Sequence, residues 1–384
     1  MQLDLTMSLT YVEASCHCGL NTFQIPFLTS DLPQASDLCH CNSCRHITGQ
    51  LAVHYAIIEG RPLAADPGLS PNGNQPADLS NLSKYAASEK INRYFCSKCS
   101  AYMLYETLGG SNPHWSISTG ALEKTEGIVK VGYHSFVGDT MDGGLADHYR
   151  TLDGKDIPRY ELEEDGKMLP VGWRSAKIGV NRIEGSDEKL SAYCHCKTIS
   201  LYVTRGKQGD AIDEKKYWLV PATENDPSSR VRFIAGHCVC TSCRLTSGAL
   251  IQSNIILPRA NVFDAHTSKG IKLAIPKDGT QNDCRPRGLI QYESSPGTFR
   301  EFCGTCGATV FYWSKAAEGK HMPIHEGDET EAMDLASGLV DQECVGARAD
   351  GWVVWSNKVH KPEDAIDKAG VASIQDSIKD IPQR

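Results

Sequence analysis

CHCNSCR, residues 39–45, and CVCTSCR, residues 238–244, are two versions of one pattern, C-x-C-x-x-C-R, within a single chain of 384 residues. Each supplies three thiols: Cys39, Cys41 and Cys44 in the first, Cys238, Cys240 and Cys243 in the second. Clustered cysteines at such short spacing point to metal, and a closed structural zinc site takes four ligands. The reading of the chain turns on what fills the fourth place.

Working outward, both triplets have the same flanks. Upstream lies C-x-C, as Cys16 and Cys18 or Cys194 and Cys196; downstream lies C-x-x-C, as Cys96 and Cys99 or Cys303 and Cys306. The offsets between partners are 178, 199 and 207 residues in chain order, so insertions fall between motifs and never inside them. Arg45 and Arg244 follow the two triplets, and Tyr85, Ser88, Arg93, Phe95 and Tyr105 match Tyr292, Ser295, Arg300, Phe302 and Tyr312 at the 207 offset. This is the pattern expected of two tandem copies of one domain with variable loops. The expected boundaries are 8–166 and 190–362, with a Pro- and Gly-bearing linker over 167–189 and a tail of weak helical periodicity over 363–384.

The runs LAVHYAII (51–58), ALIQSNIIL (249–257), NTFQIPF, TISLYVT, YMLYETL and TVFYWS read as strands separated by turn residues. The expected fold class is mainly β, as small sheet domains stapled by metal. A net charge of −8 argues against a nucleic-acid backbone partner. No apolar run approaches a signal peptide or a membrane span, so the expected setting is soluble and cytoplasmic. Sixteen cysteines in a reducing compartment favour metal over disulfides.

The outer pairs of each half combine into four thiolates: Cys16, Cys18, Cys96 and Cys99, then Cys194, Cys196, Cys303 and Cys306. In C-x-C on a strand both thiols share a face, and such a set makes a closed structural zinc site. The triplets keep an open position, the mark of a catalytic or ligand-binding site. One reading closes them with His40, His46 or His54 in the first half and His237 in the second. The other brings the fourth ligand from outside as the sulfur of a thiol substrate, since zinc accepts thiolate readily. Cys284 and Cys344 fall outside both sets and read as ordinary thiols.

The pieces CHCGLNTFQI, CHCNSCRHITG and RYFCSKC, repeated as CHCKTISLYV, CVCTSCRLTSG and REFCGTCG, resemble the glutathione-dependent formaldehyde-activating enzyme family, which includes centromere protein V; GKDIPRYEL (154–162) resembles its closing segment. The resemblance implies two tandem Mss4-like β-tent zinc domains, with a structural zinc on the outer pairs and a labile zinc on each triplet. It implies a carbon–sulfur lyase that joins glutathione to formaldehyde. Small-molecule thiol and aldehyde are the implied partners, without nucleic acid or membrane. Arg45 and Arg244 are then candidates to pair with a glutathione carboxylate. Tyr105, Tyr312 and His134 are candidates for proton donation. Departures from the family pattern are Ser100 and Lys197 in place of glycine, and Val239 in place of histidine. Two other functions stay open: a zinc-dependent lyase, dehydratase or isomerase acting on a pathway intermediate, and a non-catalytic zinc module.

Overall fold

The computed structural model describes residues 8–65, 75–109, 113–178, 188–223, 229–273, 285–314 and 331–381. Cys284 and the side chain of Cys344 lie outside that set. The chain is mainly β. The expected strands form where apolar and polar residues alternate: Leu9–Ser15 turns Val12 and Ala14 inward and leaves Tyr11 and Glu13 outward.

The same sheet arrangement occurs twice. In the first half, strands run across a seven-stranded sheet in the order Val129–Ser135, Gln34–Cys39, Val53–Ile58, His114–Ser118, Tyr102–Thr107, Ile91–Cys96, Leu82–Ser88. In the second, the order is Val353–His360, Arg232–Cys238, Gln252–Pro258, Ala332–Ala336, Thr309–Ser314, Thr298–Cys303, Leu289–Ser295, with Leu219–Val220 added beside Arg232–Cys238. In each, only the first pair is parallel. A three-stranded sheet accompanies each: Leu9–Ser15, Thr22–Leu28 and Leu63–Ala64, then Lys189–Tyr193, Ser200–Thr204 and Val262–Asp264. Ile25 and Phe27 of the small sheet pack with Ala56, Met103 and Ile117 of the large one in a single apolar cluster.

Two short helices, Asn42–Thr48 and Thr241–Ser247, sit inside the triplet motifs. They were not among the expected elements. Each ends on a glycine in the left-handed region, Gly49 at φ 78° and Gly248 at φ 73°, the usual helix stop.

The halves pack against each other through contacts that recur with the partners exchanged. Gly120 N–H donates to Gly248 O at 3.1 Å, and Gly338 N–H to Gly49 O at 2.9 Å. His17 N–H donates to Leu245 O, and His195 N–H to His46 O. Ile47, Phe95, Tyr102 and Phe302 form an apolar plug from both halves. The largest core cluster also crosses over, joining Leu38, Leu51 and Tyr149 to Phe233, Val310 and Trp352.

The expected linker and tail are both packed in part. Leu169 and Trp173 lie against Val137 and Ala146. In the tail, helix Lys368–Ile378 buries Val371, Ile374 and Ile378. It reaches the first half where Thr151 N–H donates to Ser373 Oγ at 3.2 Å, so the C-terminus clasps the two halves together.

A Cβ on Gly120 would lie 2.5 Å from Gly248 backbone atoms, and one on Gly338 2.2 Å from Gln50 O. Backbone cannot yield as a side chain does, and overpacking of this kind costs about 3 kcal/mol. Gly120→Ala and Gly338→Ala are each expected to lower stability by about that amount in a denaturant titration, and to do so for the whole chain in one transition.

Candidate metal and thiol site

The outer cysteines come together in both halves. Cys16, Cys18, Cys96 and Cys99 have all sulfurs within 4.8 Å of one another, as do Cys194, Cys196, Cys303 and Cys306. Cys16 Sγ and Cys18 Sγ are 3.6 Å apart, and so are Cys18 Sγ and Cys96 Sγ. That is far beyond a disulfide, and close to the edge, about 3.8 Å, of a tetrahedron with Zn–S near 2.3 Å.

The C-x-C pairs do not lie on strands, as the sequence pattern suggested. They occupy the tight turn between two strands, where Asn21 N–H and Ile199 N–H each donate to the first sulfur at 3.4 Å. The turn needs a left-handed residue: Gly19 has φ 72° in one half and Lys197 φ 58° in the other. Likewise Gly307 has φ 75° after the last cysteine, and its counterpart Ser100 φ 61°. The non-glycine residues hold the same geometry at a conformational cost.

Each triplet also converges within 4.8 Å, and among the described residues no histidine or carboxylate joins it. Cys39 and Cys238 end strands; Cys41 and Cys240 cap the short helices, their sulfurs accepting from Cys44 N–H and Cys243 N–H at 3.3 Å. The candidate histidines are engaged elsewhere. His40 Nε2 is 3.0 Å from His134 Nδ1, and His134 Nε2 donates to Tyr149 O at 2.7 Å. His46 donates to Tyr193 O, His54 lies between Ser36 and Thr119, and His237 lies between His148 and Ser253. His134, wholly buried in this way, is not available to a substrate.

Crowding sets the protonation of the sulfurs. Hydrogen bonds from Cys39 and Cys41 hold Cys44 well below the thiol range, while the bond with Cys41 and then that with Cys44 push Cys39 well above it. In the second triplet Cys240 falls to about 2 through Cys238 and Cys243, and Cys238 rises through Cys240 and Cys243. Neighbouring anions 3–4 Å apart cannot all ionise without a cation between them. The donor set therefore fits a thiophilic dication.

Arg45 and Arg244 do not reach a cavity. Arg45 is fully buried and donates to Asn42 and, at 2.9 Å, to Gln342 Oε1 of the other half. Arg244 donates to Gly120 O at 2.5 Å and Leu122 O at 2.8 Å. They tie the halves together. The arginines at the triplets are Arg93, whose Nη2 donates to Cys44 Sγ at 3.1 Å, and Arg300, whose Nη2 donates to Cys243 Sγ at 3.5 Å. In sequence the two are only a matched pair at the 207 offset, because strand register is what brings them beside the sulfurs.

Around Cys238, Cys240 and Cys243 opens a cavity of about 560 Å³, lined also by His237, Asn254, Arg300, Tyr312 and Asp334. Burial pushes the Asp334 carboxyl up to about 7, with Arg300 pulling the other way. Burial likewise raises Tyr312 to about 12, so its phenol stays protonated.

Residues 11–139 match the model of a family described as glutathione-dependent formaldehyde-activating enzyme. Neither the curated proteins nor the solved structures match the chain. The matched stretch contains the first outer cluster and the first triplet, and at family level it supports glutathione-dependent formaldehyde activation. No helix among the described residues is long and apolar enough to cross a membrane.

One further element escaped the sequence reading. His17, between the outer cysteines of the first half, braces the triplet of the second. Arg300 Nη2 donates to Ser242 Oγ at 3.1 Å, and Ser242 Oγ stands 3.0 Å from His17 Nε2. On its other side His17 Nδ1 stands 2.8 Å from the Tyr292 hydroxyl. In the other direction His195 Nδ1 lies 2.7 Å from the Tyr85 hydroxyl.

Two outcomes are expected here. Metal analysis should find up to four zinc ions per chain, those of the triplets lost first to a mild chelator and those of the outer clusters only with unfolding; release of all zinc at one rate would contradict two classes of site. Ser100→Gly and Lys197→Gly should each raise thermal stability by about 1 kcal/mol without changing metal content, because they relieve a left-handed L-residue.

Proposed function

We propose that the chain is a tandem pair of zinc domains, over 8–166 and 190–362, acting as a carbon–sulfur lyase-type enzyme that joins a thiol, glutathione, to a small aldehyde such as formaldehyde. The observation that carries this reading is a three-sulfur cluster with no fourth ligand among the described residues, opening onto a cavity beside an arginine. The family match over residues 11–139 supports the choice of thiol and aldehyde.

Cys39, Cys41 and Cys44, and Cys238, Cys240 and Cys243, would hold the zinc. Bound there, zinc supplies an open position that accepts sulfur and keeps a thiol ionised at neutral pH, where a free thiol of pKa about 8.5 is mostly protonated. The chain's own residues do the rest. Arg300 offsets the charge of the sulfur cluster and lines the cavity. His17 and Ser242 fix its guanidinium plane from behind. The outer clusters anchor the hairpin from which Arg300 projects, since Cys303 ends the same strand. The clustered thiols suit a reducing compartment such as the cytoplasm.

Cys41→Ala and Cys240→Ala test the reading. Each should leave the chain folded by circular dichroism, because the strands and helices around the triplet pack without it, and each should remove one labile zinc and glutathione binding in its own half. A folded double variant that bound glutathione with parental affinity would show that the fourth ligand is not the substrate's sulfur.

A further inference from the structure

The two triplets lie under corresponding rows of side chains. Across the first large sheet, register sets Tyr85 beside Arg93, Arg93 beside Tyr105 and Tyr105 beside Ser116. Across the second it sets Tyr292 beside Arg300, Arg300 beside Tyr312 and Tyr312 beside Asp334. Arg93 and Arg300 stack over Tyr105 and Tyr312, at 4.9 and 5.1 Å from the ring centres. The rows differ at one place: a serine in the first, a carboxylate in the second.

A second exchange lies next to it. Tyr55 pairs with Ser118 as Asn254 pairs with Ala336. The Tyr55 hydroxyl accepts from Arg93 Nη1 at 2.6 Å, so both terminal nitrogens of Arg93 are occupied. Asn254 instead accepts from Gln252 at 3.3 Å. Arg300, only 5% exposed, is left with Nη1 and Nε buried and unpartnered. An unpaired buried guanidinium nitrogen is costly, and the Arg300 side chain lines the cavity that Asp334 also lines.

We infer that the two halves have separate tasks: Asp334 is the catalytic acid–base residue of the second half, the Arg300 guanidinium orients the aldehyde oxygen there, and the first half keeps its sulfur cluster with Ser116 at the position of Asp334. This rests on the proposed function. In the step, the thiolate electron pair forms the S–C bond, the C=O π pair moves to oxygen, and that oxygen takes the proton of the Asp334 carboxyl. The proton released when the next thiol ionises returns to Asp334, so thiol plus aldehyde gives the hemithioacetal with nothing else consumed. The carboxyl's position near 7 suits a group that must give and regain a proton at neutrality. Tyr312 cannot substitute as a base, since its phenol is held protonated.

The test uses the zinc-loaded full chain and the exchange between formaldehyde and S-(hydroxymethyl)glutathione, followed by magnetisation-transfer NMR against the spontaneous rate. Asp334→Asn, of the same shape, should lower the catalysed rate by about 100-fold, within the range for a lost general acid, while zinc content and calorimetric glutathione affinity stay within twofold of the parent. Ser116→Ala should leave the rate unchanged. Placing Tyr55→Asn and Ser116→Asp in the Asp334→Asn chain should restore part of the rate from the first half. A parent that accelerates exchange together with an Asp334→Asn chain of equal rate would overturn the inference and leave the proposed function standing. A parent that does not exceed the spontaneous rate would overturn both.

Discussion

Sulfur repelling sulfur is the constraint on which the rest of this protein depends. Fourteen of its cysteines gather in four clusters whose sulfurs stand within 4.8 Å of one another. Several thiolates that close are stable only around a cation, so the turns and strands that bring them together build clusters that could hold a metal ion. The outer clusters close the entry hairpin of each half against the hairpin that ends in Cys96 or Cys303. The backbone accommodates this even where the left-handed turn residue is Lys197 or Ser100 instead of glycine.

The second organising element is the contact between halves. Arg45 and Arg244, expected at a substrate, bridge it instead. His17 stands in the outer cluster of one half and reaches the triplet arginine of the other through Ser242. Each half thus supports the other's site, and a core shared across the junction makes that support rigid. The helix Lys368–Ile378 adds to the same end by packing on the first half.

Within this near-symmetry the two sites differ by few side chains. Tyr55 takes the Nη1 of Arg93, whereas the Nη1 of Arg300 has no such partner; Ser116 stands where the second half has Asp334. A buried carboxyl and an unpaired guanidinium both weigh against stability.

The thiol groupings, the repeated register of motifs and the β-rich runs were legible in the sequence, because thiol spacing and two-residue alternation are local properties. So was the grouping of Cys39, Cys41 and Cys44. The helices Asn42–Thr48 and Thr241–Ser247 had a local signal too, in the Thr48-Gly49 and Ser247-Gly248 pairs that end them, but their seven residues carry little periodicity. Only the tertiary structure decided which arginine meets the sulfurs. Arg45 is next to Cys44 in sequence yet points to Gln342, while Arg93, 49 residues away, donates to Cys44. The placement of Asp334 beside Tyr312 and Arg300 likewise follows from the register of three strands. Register and the packing of one half on the other are set by contacts between residues far apart in the chain, which no local pattern encodes.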